Sequence, residues 1–171
     1  MKKQHGFTLV GLVLTFVVVG IILATTTSIL LRIYSQEQQK NEIRTAVSQT
    51  FMSLQHALNA HIETAQCLTA PIINVNTLMN QYHLDTNIPH ILPSLTVIIN
   101  ARANQPKLAT NLSLTFTAES RHKAQQISQW LNNGEIFITQ HANQLTLTHA
   151  IEPIHTQLGR MYFNPVTGCY Q

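Results

Sequence analysis

The chain has 171 residues, 44% of them hydrophobic and only 10% charged, against roughly 25% charged in ordinary soluble domains. That length suits one modest globular domain plus an extension, which excludes two full domains. The formal charge of +3 is spread over Lys40, Arg44, Arg102, Lys107, Arg121, Lys123 and Arg160 as well as the amino terminus, so no clustered basic face marks a nucleic-acid binder and no nucleic-acid partner is expected.

From Phe7 to Leu31 the chain carries no charge and is rich in Leu, Val and Ile, with Lys2 and Lys3 before the run and Arg32 after it. These 25 residues are long enough, as a helix, to span a hydrocarbon core that needs about 20. A secretory signal peptide usually has an apolar centre of about 7 to 15 residues ending in small residues suited to cleavage. The run here is longer, and Ala24-Thr25-Thr26-Thr27 is a poor cleavage sequence. The lysine pair on one side, against Arg32 balanced by Glu37 on the other, predicts the amino terminus inside and the body outside.

Met1-Lys2-Lys3-Gln4-His5-Gly6-Phe7-Thr8-Leu9 resembles the class III signal of type IV pilins and type II secretion pseudopilins: a short basic leader, a Gly, then Phe-Thr-Leu opening an apolar helix. The resemblance covers about the first 30 residues. It implies a leader of residues 1–6, cut between Gly6 and Phe7 by a prepilin peptidase, and methylation of the new Phe7 amine. It also implies insertion in a bacterial inner membrane with the head in the periplasm, and assembly with other pilin or pseudopilin subunits. Gly20 falls where family members often carry a Gly in the apolar helix. One position departs from the pattern. The family usually has Glu at the fifth residue after the cut, where it is thought to pair with a neighbouring subunit's amino terminus, and this chain has Gly11. A carboxylate in hydrocarbon is costly unless partnered, so a subunit without it cannot neutralise its neighbour in that way. Gly11 therefore points to a minor, initiating or capping subunit; the alternatives are neutral drift or use of another contact. Gly11 and Gly20 would let a neighbouring helix approach closely. The mid-span Pro of the family is missing too, with Ser28 near its place, and Thr25 to Ser28 are able to bend the helix by bonding back to carbonyls.

Beyond Arg32, apolar residues recur at Ile43, Val47, Phe51, Leu54, Leu58, Ile62 and Ala65 in steps of three or four, so the helix continues outward as an amphipathic one and ends before Pro71. A run from Phe7 to Ala65 would be roughly 90 Å long. After Pro71 the pattern changes to short β-prone segments at Leu95–Ile99, Leu112–Thr117, Glu135–Thr139 and Leu145–Ala150, with a helix over Glu119–Leu131 between the second and third. Gln140 to Asn143 is a hairpin-length loop, so an antiparallel sheet is expected, packed on the carboxyl half of the long helix. The expected fold class is α+β: a membrane-spanning helical part at residues 7–31, an amphipathic part at 32–66 and a head at 67–171.

Cys67 and Cys169 are an even count in the oxidising compartment that the resemblance implies, and an intramolecular disulfide is expected, the alternative being two unrelated thiols. The nine histidines show no ligand spacing: His56 and His61 are five apart, off a common helical face, and His83, His90, His141, His149 and His155 are dispersed. No metal or cofactor is expected. Catalysis has no support either, since there is no G-x-S-x-G, no phosphate-binding Gly-rich loop, no Cys with a paired base and no evident carboxylate pair. The Asn111-Leu112-Ser113 sequon is short enough to arise by chance. Trp130, Phe137, Tyr162 and Phe163 are expected in the core.

Three functions remain. The first is a minor pilin-like subunit that is incorporated in, primes or caps a type IV pilus-like fibre, serving adhesion, motility, DNA uptake or a similar task. The second is a minor pseudopilin of type II secretion. The third, of another class, is an uncleaved bitopic membrane protein with a periplasmic binding or scaffold domain. An enzyme is not expected.

Overall fold

A computed structural model describes residues 9–103, 108–132, 134–151 and 163–170. The first helix, α1, spans Leu9–Ala65. By its contacts the chain divides into two units, Met1–Lys40 and Asn41–Gln171, and α1 contributes to both. Within the first unit its large apolar side chains, from Leu12 to Tyr34, are exposed. A helix this long and apolar meets the length and composition needed to cross a membrane. Thr25, Thr26, Thr27 and Ser28 all bond back to carbonyls three or four residues earlier, at 2.8–3.0 Å. Such bonds satisfy each hydroxyl inside its own helix, which is how consecutive polar residues are tolerated in an apolar run.

In the second unit the periodic residues of α1 do what their spacing predicts. Ile43, Val47, Phe51, Leu54, Leu58 and Ile62 are buried, while Ala65, the last of the series, is exposed. Ala46, Thr50, Ser53 and Ala57 widen the buried stripe, and the Thr50 hydroxyl donates to the Ala46 carbonyl at 2.7 Å.

The chain then forms α2 (Val75–Gln81), α3 (Ile88–Ile91), β1 (Thr96–Ala101), β2 (Ala109–Thr117), α4 (Arg121–Leu131), β3 (Ile136–His141), β4 (Gln144–Ala150), β5 (Phe163–Asn164) and β6 (Cys169–Tyr170). The two short helices α2 and α3 lie in a stretch where the sequence shows no helical periodicity. The Asn74 side chain caps α2 by accepting from Thr77 N at 2.8 Å, Pro89 lies in the first turn of α3, and each helix buries one apolar residue, Leu78 and Ile88.

Strands β1 to β4 form one antiparallel sheet in the order β1-β2-β4-β3. Its inner face carries Val97, Ile99, Leu112, Leu114, Phe116, Leu145 and Leu147, which join the buried stripe of α1 and Ala124, Ile127 and Leu131 of α4 in a single core cluster. Four strands with alternating burial against a helical layer give the α+β architecture, a long amino-terminal helix with a small antiparallel sheet. The β3–β4 hairpin closes on just Ala142 and Asn143, with Ala142 in the left-handed region at φ 55°.

The start of α4 is fixed by Ser120, whose extended backbone and side-chain oxygen, accepting from Lys123 N at 3.1 Å, make it the N-cap. Replacing Ser120 by Ala is expected to lower unfolding stability by about 1 kcal/mol. Denaturant unfolding of the full-length chain in detergent checks this, and no loss would mean that the cap does not hold the helix.

Candidate functional site

The chemistry-bearing features fall in three places. The first is the amino-terminal helix. Gly11 is half-buried and its carbonyl accepts from the Thr15 hydroxyl at 2.8 Å. Gly20 is exposed, and a Cβ built on it meets nothing within 4 Å, so its own helix does not require a glycine there. From Leu12 to Leu31 the surface is apolar apart from hydroxyls that are mostly bonded to the helix's own carbonyls. The cleavage pair Gly6 and Phe7 lies outside the described residues, as do His155 and Tyr162.

The second place is the end of α1. Cys67 and Cys169 are joined by a disulfide that closes a separation of 102 residues. Backbone bonds flank it on both sides, from Leu68 N to Gly168 O at 2.9 Å and from Tyr170 N to Gln66 O at 2.7 Å. The turn between β5 and β6 is held by the Asn164 side chain, which accepts from Val166 N at 2.9 Å, and Gly168 takes the positive φ of 73° that favours a residue without Cβ. The carboxyl tail is thereby tied to the segment that follows α1.

The third is an open cleft in the second unit. Val47, Phe51, Leu112, Leu131 and Ile136 line it with apolar surface, and Arg44, Met52, His56, Glu135 and His149 are among its remaining walls. The Arg44 guanidinium Nε donates to the Trp130 carbonyl at 2.8 Å, placing a cation on the unsatisfied end of α4. The Lys123 ammonium stands 4.8 Å from the Trp130 ring centre, a cation–π contact. His149 packs its ring against Phe51, with centroids 5.4 Å apart.

The other predicted residues are dispersed. His56, His83, His90 and His141 are exposed, and His61 is bonded to the Thr69 hydroxyl at 3.2 Å. Among the described residues no group of three or more His, Cys, Asp or Glu is placed to hold a metal ion. Trp130 is half-buried against the core, whereas Phe137, expected inside, is 70% exposed because it lies on the outer face of β3. No side chain of Phe163 is described.

Sequence reasoning missed the Arg44 contact, since nothing local links residue 44 to residue 130. It also missed the pattern of the outer sheet face, where Thr96, Thr115, Thr146 and Thr139 stand in one row across all four strands. The Thr115 and Thr146 hydroxyls of that row are 3.0 Å apart.

Comparison with known proteins places one part of the chain. No curated protein and no solved structure matches it. Residues 1–27 match the family described as the prokaryotic N-terminal methylation motif. That match is confined to the amino-terminal 27 residues, and with the apolar helix that follows it supports the resemblance of this segment to the class III signal of type IV pilin-like prepilins.

Proposed function

We propose that the chain is a minor subunit of a type IV pilus-like fibre. It is made with the leader 1–6, cut between Gly6 and Phe7 by a prepilin peptidase, and methylated at Phe7. Residues 7–31 hold it in the bacterial inner membrane, residues 32–66 continue the helix outward, and residues 67–171 form the head in the periplasm. The observation that carries this reading is the methylation-motif match over residues 1–27 combined with Gly11 at the fifth position of the mature chain. Without a carboxylate there, the subunit cannot neutralise a neighbour's amino terminus, and a repeated place in the fibre core is disfavoured. It is then incorporated sparsely, or it primes or caps the fibre.

The mechanism is one of packing. Apolar helices of several subunits leave the bilayer and bundle side by side, and Gly11 and Gly20, neither bearing a side chain, permit close approach of a neighbour. Support for Gly20 comes from its exposure and from the lack of any packing demand within its own chain. The partners are other pilin-like subunits and the peptidase, and no catalytic step is assigned to the chain.

Intact-mass and amino-terminal analysis of the protein from membranes of its native host tests the reading. The expected result is a chain beginning at N-methylated Phe7. A chain beginning at an unprocessed Met1 overturns it and leaves a bitopic protein with an anchored head.

A further inference from the structure

Among the described residues, both edges of the four-stranded sheet, the outer sides of β1 and of β3, lack a pairing strand. Neither β1, Thr-Val-Ile-Ile-Asn-Ala, nor β3, Ile-Phe-Ile-Thr-Gln-His, contains a Lys, Arg, Asp, Glu or Pro, the residues by which edge strands ordinarily discourage pairing. The outer face is otherwise polar, yet it exposes two large apolar side chains, Ile98 at 56% and Phe137 at 70%. These two stand at opposite ends of one cross-strand row, Ile98–Ser113–Thr148–Phe137.

From this we propose that the β3 edge binds the β1 edge of a second copy of this chain standing in the same orientation, so that the two sheets run on as one. The inference rests on the edges of the head and not on the processing or minor-subunit reading above.

Three geometric conditions are met together. First, the strands alternate in direction across an even-numbered sheet, so β1 and β3 run oppositely. A copy displaced sideways without rotation thus offers its β1 antiparallel to β3, and the α1 segments of the two heads keep a common direction. A two-fold β3–β3 pairing would instead set the α1 segments of the two heads in opposite directions, and it would not bring Ile98 and Phe137 together.

Second, the hydrogen-bonding parity agrees. In a hairpin with a two-residue turn the pair flanking the turn, His141 and Gln144, exchanges bonds, and bonded pairs then alternate along an antiparallel ladder. Ile136, Ile138 and Gln140 accordingly turn their N–H and C=O groups outward. Carrying the alternation through β4 and β2 turns those of Val97 and Ile99 outward from β1. Continuing the Ile98–Phe137 row into the next copy sets Ile138 opposite the second copy's Val97 and Ile136 opposite its Ile99, so outward groups face outward groups.

Third, the side chains match. Phe137 comes directly opposite the second copy's Ile98 at a non-bonded pair, the position where facing side chains are closest, and the two exposed apolar groups cover each other. Thr139 meets the second copy's Thr96.

Disulfide trapping with the full-length chain in detergent micelles tests this. Phe137→Cys and Ile98→Cys are made as separate variants, mixed and mildly oxidised. Opposed residues at such a pair lie at a separation that a disulfide can bridge. Within one copy the two positions are three strand spacings apart, roughly 14 Å, so a link must be between chains. The expected result is a covalent dimer from the mixture on a non-reducing gel. Ile98→Cys mixed with Thr139→Cys, which is out of register, should give on the order of tenfold less. All three variants alter exposed side chains, and an unchanged thermal midpoint of each shows that the head is folded. Equal yields from both mixtures, no dimer from the first, or a dimer from Phe137→Cys mixed with Thr139→Cys, the signature of two-fold β3 pairing, would each overturn the proposal.

Discussion

Phe116→Ala is expected to lower the unfolding stability of the head by about 3–5 kcal/mol, the cost of truncating a large aromatic in a core that cannot collapse around the gap. Phe116 is 1% exposed and heads the largest fully buried side chains. It sits on β2, which is hydrogen-bonded on both sides, to β1 and to β4, opposite Leu145. The backbone around it is therefore fixed by two ladders, and the surrounding Leu and Ile side chains have little freedom to fill the space. Trp130 is the single Trp of the chain and packs against the same core, so its fluorescence follows the transition. Guanidinium unfolding of the full-length chain in detergent should show a lower midpoint with the slope unchanged. Phe137→Ala, which removes an exposed ring of the same size, should cost no more than about 0.5 kcal/mol in the monomer. Similar losses for the two would mean that burial on β2 does not set the stability of the head.

The second large effect concerns Cys67 and Cys169. Replacing both by Ser is expected to cost about 2–5 kcal/mol. With the cysteines 102 positions apart in sequence, the unfolded chain loses loop-closure freedom worth up to about 4–5 kcal/mol when they are joined. The loss should also have a local signature. The tail is held to the end of α1 through the Leu68–Gly168 and Tyr170–Gln66 backbone bonds and the Cys67–Cys169 β-bridge, and β5 and β6 are two-residue strands paired with each other. Hydrogen exchange at Gly168 and Tyr170 should accelerate in the double variant, while Leu114 in the central strand stays protected in proportion to the remaining global stability. Unchanged exchange at the tail, with global stability intact, would show that the backbone bonds alone hold the segment.

Much of the fold was legible because it is written in local pattern. The stretch from Phe7 to Leu31 needs no partner to be read as membrane-crossing, since a charge-free apolar run of that length has few other stable environments. The end of α1 at Ala65 follows from the three-and-four spacing that stops before Pro71, and each strand of the main sheet overlaps one of the short β-prone segments. For α4, the spacing predicted a helix over Glu119–Leu131, and the structure starts it at Arg121, behind a Ser120 cap that the spacing did not single out.

The short helices α2 and α3 were not legible. Seven and four residues are too few to be stable by propensity, and they exist because Leu78 and Ile88 find the core. The exposure of Phe137 was hidden for a related reason: alternation says that neighbours face opposite ways but not which way is in, and only the position of α1 and α4 against the sheet decides it.

The sequence alone therefore determined the amino-terminal apolar helix, its processing signal, the four strands of the main sheet and α4, because these depend on composition and spacing within a few turns of chain. The strand order β1-β2-β4-β3, the Arg44 bond to the end of α4 and the placing of Ile98 and Phe137 at the two ends of one row were decided by the tertiary structure, because each joins residues far apart in sequence through the packing of one shared core.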